Sequence, residues 1–295
     1  MKIPEEQNHM EKIRNDLSAM FASANALLDH CVEMITLHPE SISRKCINDE
    51  IVRYRTSHAI CIKACKVFRA SIALAGVGSG DELNILSRTL FETFVAVNFV
   101  LQEKLEISKK VGEVSPEFRA KLYLAHGILK RRTKMRELKA NPNCNSVIPN
   151  ESVIEANADQ SVADIGQDWA EKLASGSKTY STLSLRDLIT RFDEPVYSYW
   201  YSFLYSDQSQ TVHASDPTSH IEFDPKSSRF VARWFGSTGN LGMALATNGL
   251  LLYGCFRKLH EYCLFEDEVF DELNRLGGDV QILFDCCFQG SNSGK

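Results

Sequence analysis

The chain of 295 residues lacks several things that would each have named a function class. It has no excess of positive charge: 33 basic against 38 acidic side chains leave −5, which excludes a globally basic nucleic-acid binder. It has no pair of Cys-x2-Cys elements, and its nine cysteines are an odd, scattered set. They read as reduced thiols rather than a disulfide framework or a zinc site. Residues 1–14 are charged and hold no apolar core of the length an export signal needs, so the expected location is cytoplasmic.

Long hydrophobic runs are also missing. Residues 83–101 approach the ~20 positions a membrane span requires but carry Arg88, Glu92 and Asn98. Residues 241–256 are fewer and include Asn248, with Gly239, Gly242, Gly249 and Gly254 nearby. Both are expected to be helices inside a bundle, with no membrane as partner. There is no Walker loop and no Gly-x-Ser-x-Gly elbow, and there are not the two Glu-x2-His elements that a di-iron carboxylate bundle needs. Gly236, Gly239 and Gly242 follow no long strand in a βαβ frame, so no dinucleotide fingerprint is present. No cofactor and no metal are expected.

What is present is helical periodicity. Ile13, Leu17, Met20, Phe21, Ala24, Leu27, Leu28, Cys31 and Ile35 recur at spacings of three and four, predicting an amphipathic helix over 5–37 that Pro39 ends. Further helices are expected over 43–75, 81–104 and 115–139, the last opened by Ser115-Pro116-Glu117. Residues 141–168, with two prolines and few large apolar side chains, predict a loop or weakly structured crossing. A short helix is expected at 169–174 and a capped start at Ser184. An aromatic helix should run from Pro195 to about His213.

Alternation at 221–223 and 230–234 predicts a small β-hairpin. A long helix over 238–263, a short acidic one over 266–276 and an unstructured tail over 289–295 complete the expectation. The fold class is all-α: a single multi-helix bundle over 1–288, with a core over 43–263, built round the 81–104 helix. The 195–213 and 238–263 helices are expected to pack against it.

One polar constellation stands out. Arg88 and Glu92 lie four residues apart on an otherwise apolar helix, so they are expected in a largely buried setting where each charge must be paired. Tyr205, Ser209 and His213 share one side of the aromatic helix. Such a ladder either fixes how two helices pack or forms a site. In a site, His213 would serve as general acid or base, Arg88 would stabilise an anion and Glu92 would orient it. Ser209 and Tyr205 would then bind substrate or assist.

The segments Arg88-x3-Glu92 and Tyr205-x3-Ser209-x3-His213 resemble the two hallmark segments of an uncharacterised, mainly bacterial all-helical family, a domain of unknown function. The likeness covers about 43–259 and implies a helical bundle with no assigned reaction. A more remote resemblance is to HEPN-type helical defence and toxin proteins, whose ribonuclease motif is Arg-x4–6-His. Arg53-x4-His58 and Arg119-x6-His126 have that spacing, which sixteen arginines and eight histidines produce about once by chance. Arg53 and His58 are kept as secondary candidates.

Lys130, Arg131, Arg132, Lys134, Arg136 and Lys139 form the one dense basic run, either a solvated helix end or a contact to a nucleic-acid backbone. The aromatic crowd at 197–205 is expected in a core or an oligomer interface.

The leading expectation is a cytosolic antiviral-defence or toxin-type effector with HEPN-like, metal-independent ribonuclease or nucleotide-directed chemistry. Its expected partners are RNA, a second copy in a homodimer and a partner protein of a defence system. The alternative is a non-catalytic ligand-sensing or protein-assembly module whose ladder is structural.

Overall fold

The computed structural model describes residues 4–37, 50–108, 112–141, 150–174, 179–192, 196–206, 221–224, 229–232 and 238–292. Among them the fold is an all-α multi-helix bundle with two small antiparallel ribbons. Chain contacts divide it into two compact units. The first takes Met1–Ser43, His58–Val97 and Tyr199–Lys295, and the second takes Arg44–Ser57 and Asn98–Ser198.

The chain opens with α1 (Pro4–Asp16) and α2 (Ser18–Leu37), separated only by Leu17, whose backbone still bonds to Ile13 and Phe21. Next come α3 (Ile51–Gly76) and α4 (Gly80–Leu101), each cut by the division into units. In the first unit α10 (Thr238–Cys263) is central. Leu241, Leu245, Ala246, Leu252, Cys255, Phe256 and Leu259 are fully buried on it, and it packs on α2 and on α11 (Asp267–Asn292).

Its glycines make room for the neighbouring helices. A methyl at Gly254 would come within 2.7 Å of the Phe94 ring of α4, and one at Gly249 within 2.9 Å of Val280 of α11. The α3–α10 seam carries a buried hydrogen bond from the Asn248 amide to the Ser71 hydroxyl at 3.0 Å. The hairpin pairs β3 (Ile221–Asp224) with β4 (Arg229–Ala232), Ile221 opposite Ala232.

The acidic carboxyl-terminal helix was expected to stop near residue 276, and the tail from 289 to be unstructured. Instead α11 runs through Gly277-Gly278 to Asn292. At Gly277 the absent side chain admits a neighbour, since a methyl there would lie 2.5 Å from the Tyr253 ring, while one at Gly278 would meet nothing within 4 Å.

The second unit is built on α5 (Pro116–Ala140). Ser115 caps it by accepting from the Phe118 amide at 3.3 Å, with Pro116 in the first turn. Packed on α5 are α6 (Glu151–Ile165) and α7 (Gln167–Ala174). The expected loop over 141–168 is therefore largely a helix. Its buried positions are the small Ala158 and Ser161, with Ile165 at the end, so the apolar stripe is faint while helix propensity is kept.

Left-handed Asn150 (φ 62) precedes α6, and Gly166 (φ 83) ends it. A short ribbon pairs β1 (Glu106–Ser108) with β2 (Gly112–Glu113). The turn α8 (Leu185–Ile189) is capped as expected, Ser184 accepting from the Asp187 amide at 3.1 Å. The aromatic helix α9 (Val196–Ser206) begins in this unit, where Tyr197 donates to the buried Asn98 carboxamide at 2.8 Å.

Among the described residues no helix is long and apolar enough to cross a membrane.

Candidate functional site

Arg88 and Glu92 do not sit in the buried setting expected of them. Their side chains are 31% and 50% exposed, with Arg88 Nε donating to Glu92 at 3.3 Å. The reason lies in the face they occupy. Ile85, Arg88, Thr89 and Glu92 follow one another along one side of α4, while Leu83, Leu90 and Phe91 are buried on the other. Only from Thr93 onward is α4 buried all round. Ser209 and His213 lie outside the described residues. Tyr205 falls within the backbone of α9, but its side chain lies outside the described set.

The arginines of both Arg-x4–6-His pairs are held against backbone. Arg119 is fully buried at the start of α5. Its Nε donates to the Phe99 carbonyl at 2.6 Å, and its other nitrogens donate to the carbonyls of Val114 and Gln102. Arg53, 3% exposed, donates to the Leu101 carbonyl at 2.7 Å and to the Glu103 carboxylate at 2.6 Å. Two guanidinium groups thus meet the carboxyl end of α4, where unpaired carbonyls and the helix dipole favour positive charge.

Burial, with Arg53 nearby, pulls the Arg119 pKa down to about 10, against a smaller opposing pull from Glu103 and Glu113. His58 and His126, the second members of the two pairs, are half-buried. The His126 ring lies 6.1 Å from that of Tyr180.

The basic run is divided. Arg132 meets Asp159 at 3.3 Å, Arg136 holds Glu155 through two bonds of 3.0 and 2.8 Å, and Lys139 pairs with Glu151. These contacts join α5 to α6. Lys134 pairs with Glu137 on its own helix. Among the described residues Lys130 and Arg131 are exposed and have no carboxylate partner.

Five cysteines of the first unit, Cys31, Cys61, Cys65, Cys255 and Cys263, are buried, and Cys31, Cys61, Cys65 and Cys255 are free thiols. Burial, reinforced by neighbouring thiols, pushes Cys31 and Cys61 well up, and burial pushes Cys65 up to about 12. Cys31, Cys61 and Cys65 therefore remain protonated at neutral pH. Among the described residues no group of three His, Cys, Asp or Glu side chains is arranged to hold a metal ion.

The second unit also holds a cleft of about 360 Å³. Its floor is the α5 face made by Leu124, Ala125 and Ile128, with Val52 of α3 beside it. The α6 wall is polar: Asn157, Gln160, Ser161 and Asp164. Lys121 lines the same cleft. Gln160 Nε2 donates to Asp164 Oδ1 at 2.9 Å, and Ser161 donates to the Asn157 carbonyl at 2.9 Å. Among the described residues neither Lys121 nor Asp164 has an ion-pair partner.

A family model described as a family of unknown function, DUF5677, matches residues 54–227, more than half of the chain. The chain belongs to this family. The DUF5677 region takes in Arg88, Glu92, Tyr205, Ser209 and His213, and every cleft residue except Val52. No curated protein and no solved structure matches the chain.

Sequence reasoning passed over the cleft residues of this DUF5677 chain. The available signal was positional: Lys121, Leu124, Ala125 and Ile128, and again Asn157, Gln160, Ser161 and Asp164, fall at i, i+3, i+4 and i+7 of their helices. Each set makes one face, one mainly apolar and one polar.

Proposed function

We propose that the protein is a non-catalytic small-ligand-binding module whose site is the cleft between α3, α5 and α6 in the second unit. The observation that carries this reading is the presence of two opposite charges, Lys121 and Asp164, at one apolar-floored cleft without an ion pair between them. Concave sites with an apolar floor and a few directed polar groups are where small ligands bind. The neighbouring cations also support it. Arg53 and Arg119 are engaged by carbonyls, and Arg132, Arg136 and Lys139 by α6 carboxylates.

The test is thermal melting of the full chain against a panel of amino acids, polyamines, carboxylic acids and nucleotides. A ligand at a hundred times its Kd adds about 2.7 kcal/mol of stability, a readily measured shift. At least one class should raise the melting temperature of the wild type and leave Leu124→Arg, which fills the cleft from its half-exposed edge, unmoved. If no class does so, the module reading is lost.

A second reading, the defence-type effector with HEPN-like ribonuclease or nucleotide-directed chemistry, is favoured by the exposure of Arg88 and its hydrogen bond to Glu92. It predicts that expression in a bacterial host degrades cellular RNA and slows growth, and that His213→Ala abolishes both. Unaltered RNA and growth on wild-type expression would remove it.

A further inference from the structure

We propose that the ligand of the α5–α6 cleft is an ω-amino carboxylic acid, a zwitterion whose charges are separated by several methylenes. This rests on the reading of the cleft as a small-ligand site and names the chemistry that the site selects. The ligand carboxylate sits on the Lys121 ammonium, its own ammonium sits on Asp164, and its methylenes cover Leu124, Ala125, Ile128 and Val52.

Charge balance is the first argument. A simple carboxylate would satisfy Lys121 but bring a second negative charge to the cleft that holds Asp164. A simple amine would do the converse at Lys121. A dipolar ion meets both groups and leaves the net charge of the cleft unchanged.

Hydrogen bonding is the second. Gln160 occupies Asp164 Oδ1 and fixes the carboxylate, leaving Oδ2 to accept from an ammonium. Among the described residues the Asn157 side-chain amide has no partner, so it adds a neutral donor and acceptor on the same wall.

Spacing is the third. Arg132–Asp159 and Arg136–Glu155 set the antiparallel register of α5 against α6. Continued along the helices, it places Asp164 opposite about residue 127, roughly 9 Å of helix axis from Lys121 at 1.5 Å per residue. Part of that gap is covered by the lysine side chain, and a chain of several methylenes fills the remainder. An α-amino acid, with both charged groups attached to one carbon, cannot reach both ends.

The probe is 6-aminohexanoate, titrated calorimetrically into the full chain beside hexanoate, hexylamine and glycine. It should bind at least tenfold more tightly than the other three. Lys121→Met and Asp164→Asn should each weaken it at least tenfold while melting as the wild type does. The charge-swapped pair Lys121→Asp with Asp164→Lys should recover binding, because the ligand can reverse, whereas a purely structural role for either residue predicts no recovery.

Equal binding of hexanoate or hexylamine, or binding indifferent to both variants, overturns the proposal. If 6-aminohexanoate fails while another member of the panel is lost in Leu124→Arg, the zwitterion is wrong and the module stands. If nothing binds in the cleft, both fall.

Discussion

The Arg119 guanidinium, fully buried, donates from Nε to the Phe99 carbonyl at 2.6 Å and ties the start of α5 to the end of α4. Replacing Arg119 by Met leaves the buried carbonyls of Phe99 and Val114, and the part-buried one of Gln102, without this donor. We expect a loss of about 3–5 kcal/mol in chemical denaturation. Arg119→Lys should recover only part of it, since an ammonium lacks the planar fork. Arg88→Met, at a side chain 31% exposed, should cost clearly less than Arg119→Met. Similar losses at Arg88 and Arg119 would refute the assignment of Arg119 as the helix-end clamp.

Glycine substitutions should divide by what surrounds each position. Gly254→Ala drives a methyl to 2.7 Å from the Phe94 ring and should destabilise by about 1–3 kcal/mol. Gly127 and Gly278 lie inside α5 and α11 with nothing within 4 Å of a new methyl. Alanine there should stabilise by about 0.5–1 kcal/mol through helix propensity. Melting temperatures of the three variants check both signs, and a stabilising Gly254→Ala would contradict the close α4–α10 approach.

The pattern of legible and illegible features follows from what a side chain reports. The span of α10 could be read to the residue because large apolar side chains repeat along it, and the hairpin could be read from its alternation. The α6 helix was hidden because Ala158 and Ser161, its buried positions, carry too little apolar surface to mark a stripe. At Gly277-Gly278 the usual helix-breaking reading failed, and the close approach of Tyr253 to Gly277 is tertiary. The site was harder still. A lone lysine at residue 121 resembles any solvated lysine until α6 brings Asp164 to the same cleft. Arg53 and Arg119 drew attention by their distance from a histidine, whereas what engages them is the end of a helix distant in sequence.

The basic run makes a quantitative prediction about RNA. Six unpaired cations on single-stranded RNA would contribute about 4 to the slope of log K against log salt, at about 0.7 per phosphate contact. With Arg132, Lys134, Arg136 and Lys139 held by carboxylates, Lys130 and Arg131 remain. Neutralising those two with Gln should therefore change the slope by no more than about 1.4. Neutralising Arg132 and Arg136 should instead loosen α6, seen as faster amide exchange over 151–165. A slope change near 4 across the run, with exchange unaltered, would restore it as a nucleic-acid surface.

His260 gives the protein an acid-side weakness. Its ring stacks on Phe270 at 3.8 Å between centroids, and among the described residues its buried Nδ1 has no hydrogen-bond partner. Burial lowers its pKa from the ordinary value near 6.5, against a smaller opposing pull from Asp267 and Glu261. The unfolded chain therefore takes up this proton first on acidification. The stability His260 contributes is fully present above about pH 6.5 and is lost as the pH falls from there toward its lower folded value. The wild-type melting temperature should drop between pH 7.5 and 5.5, and His260→Phe, which keeps a ring against Phe270 but cannot titrate, should drop less. Equal drops in the two proteins would assign the acid sensitivity to other groups.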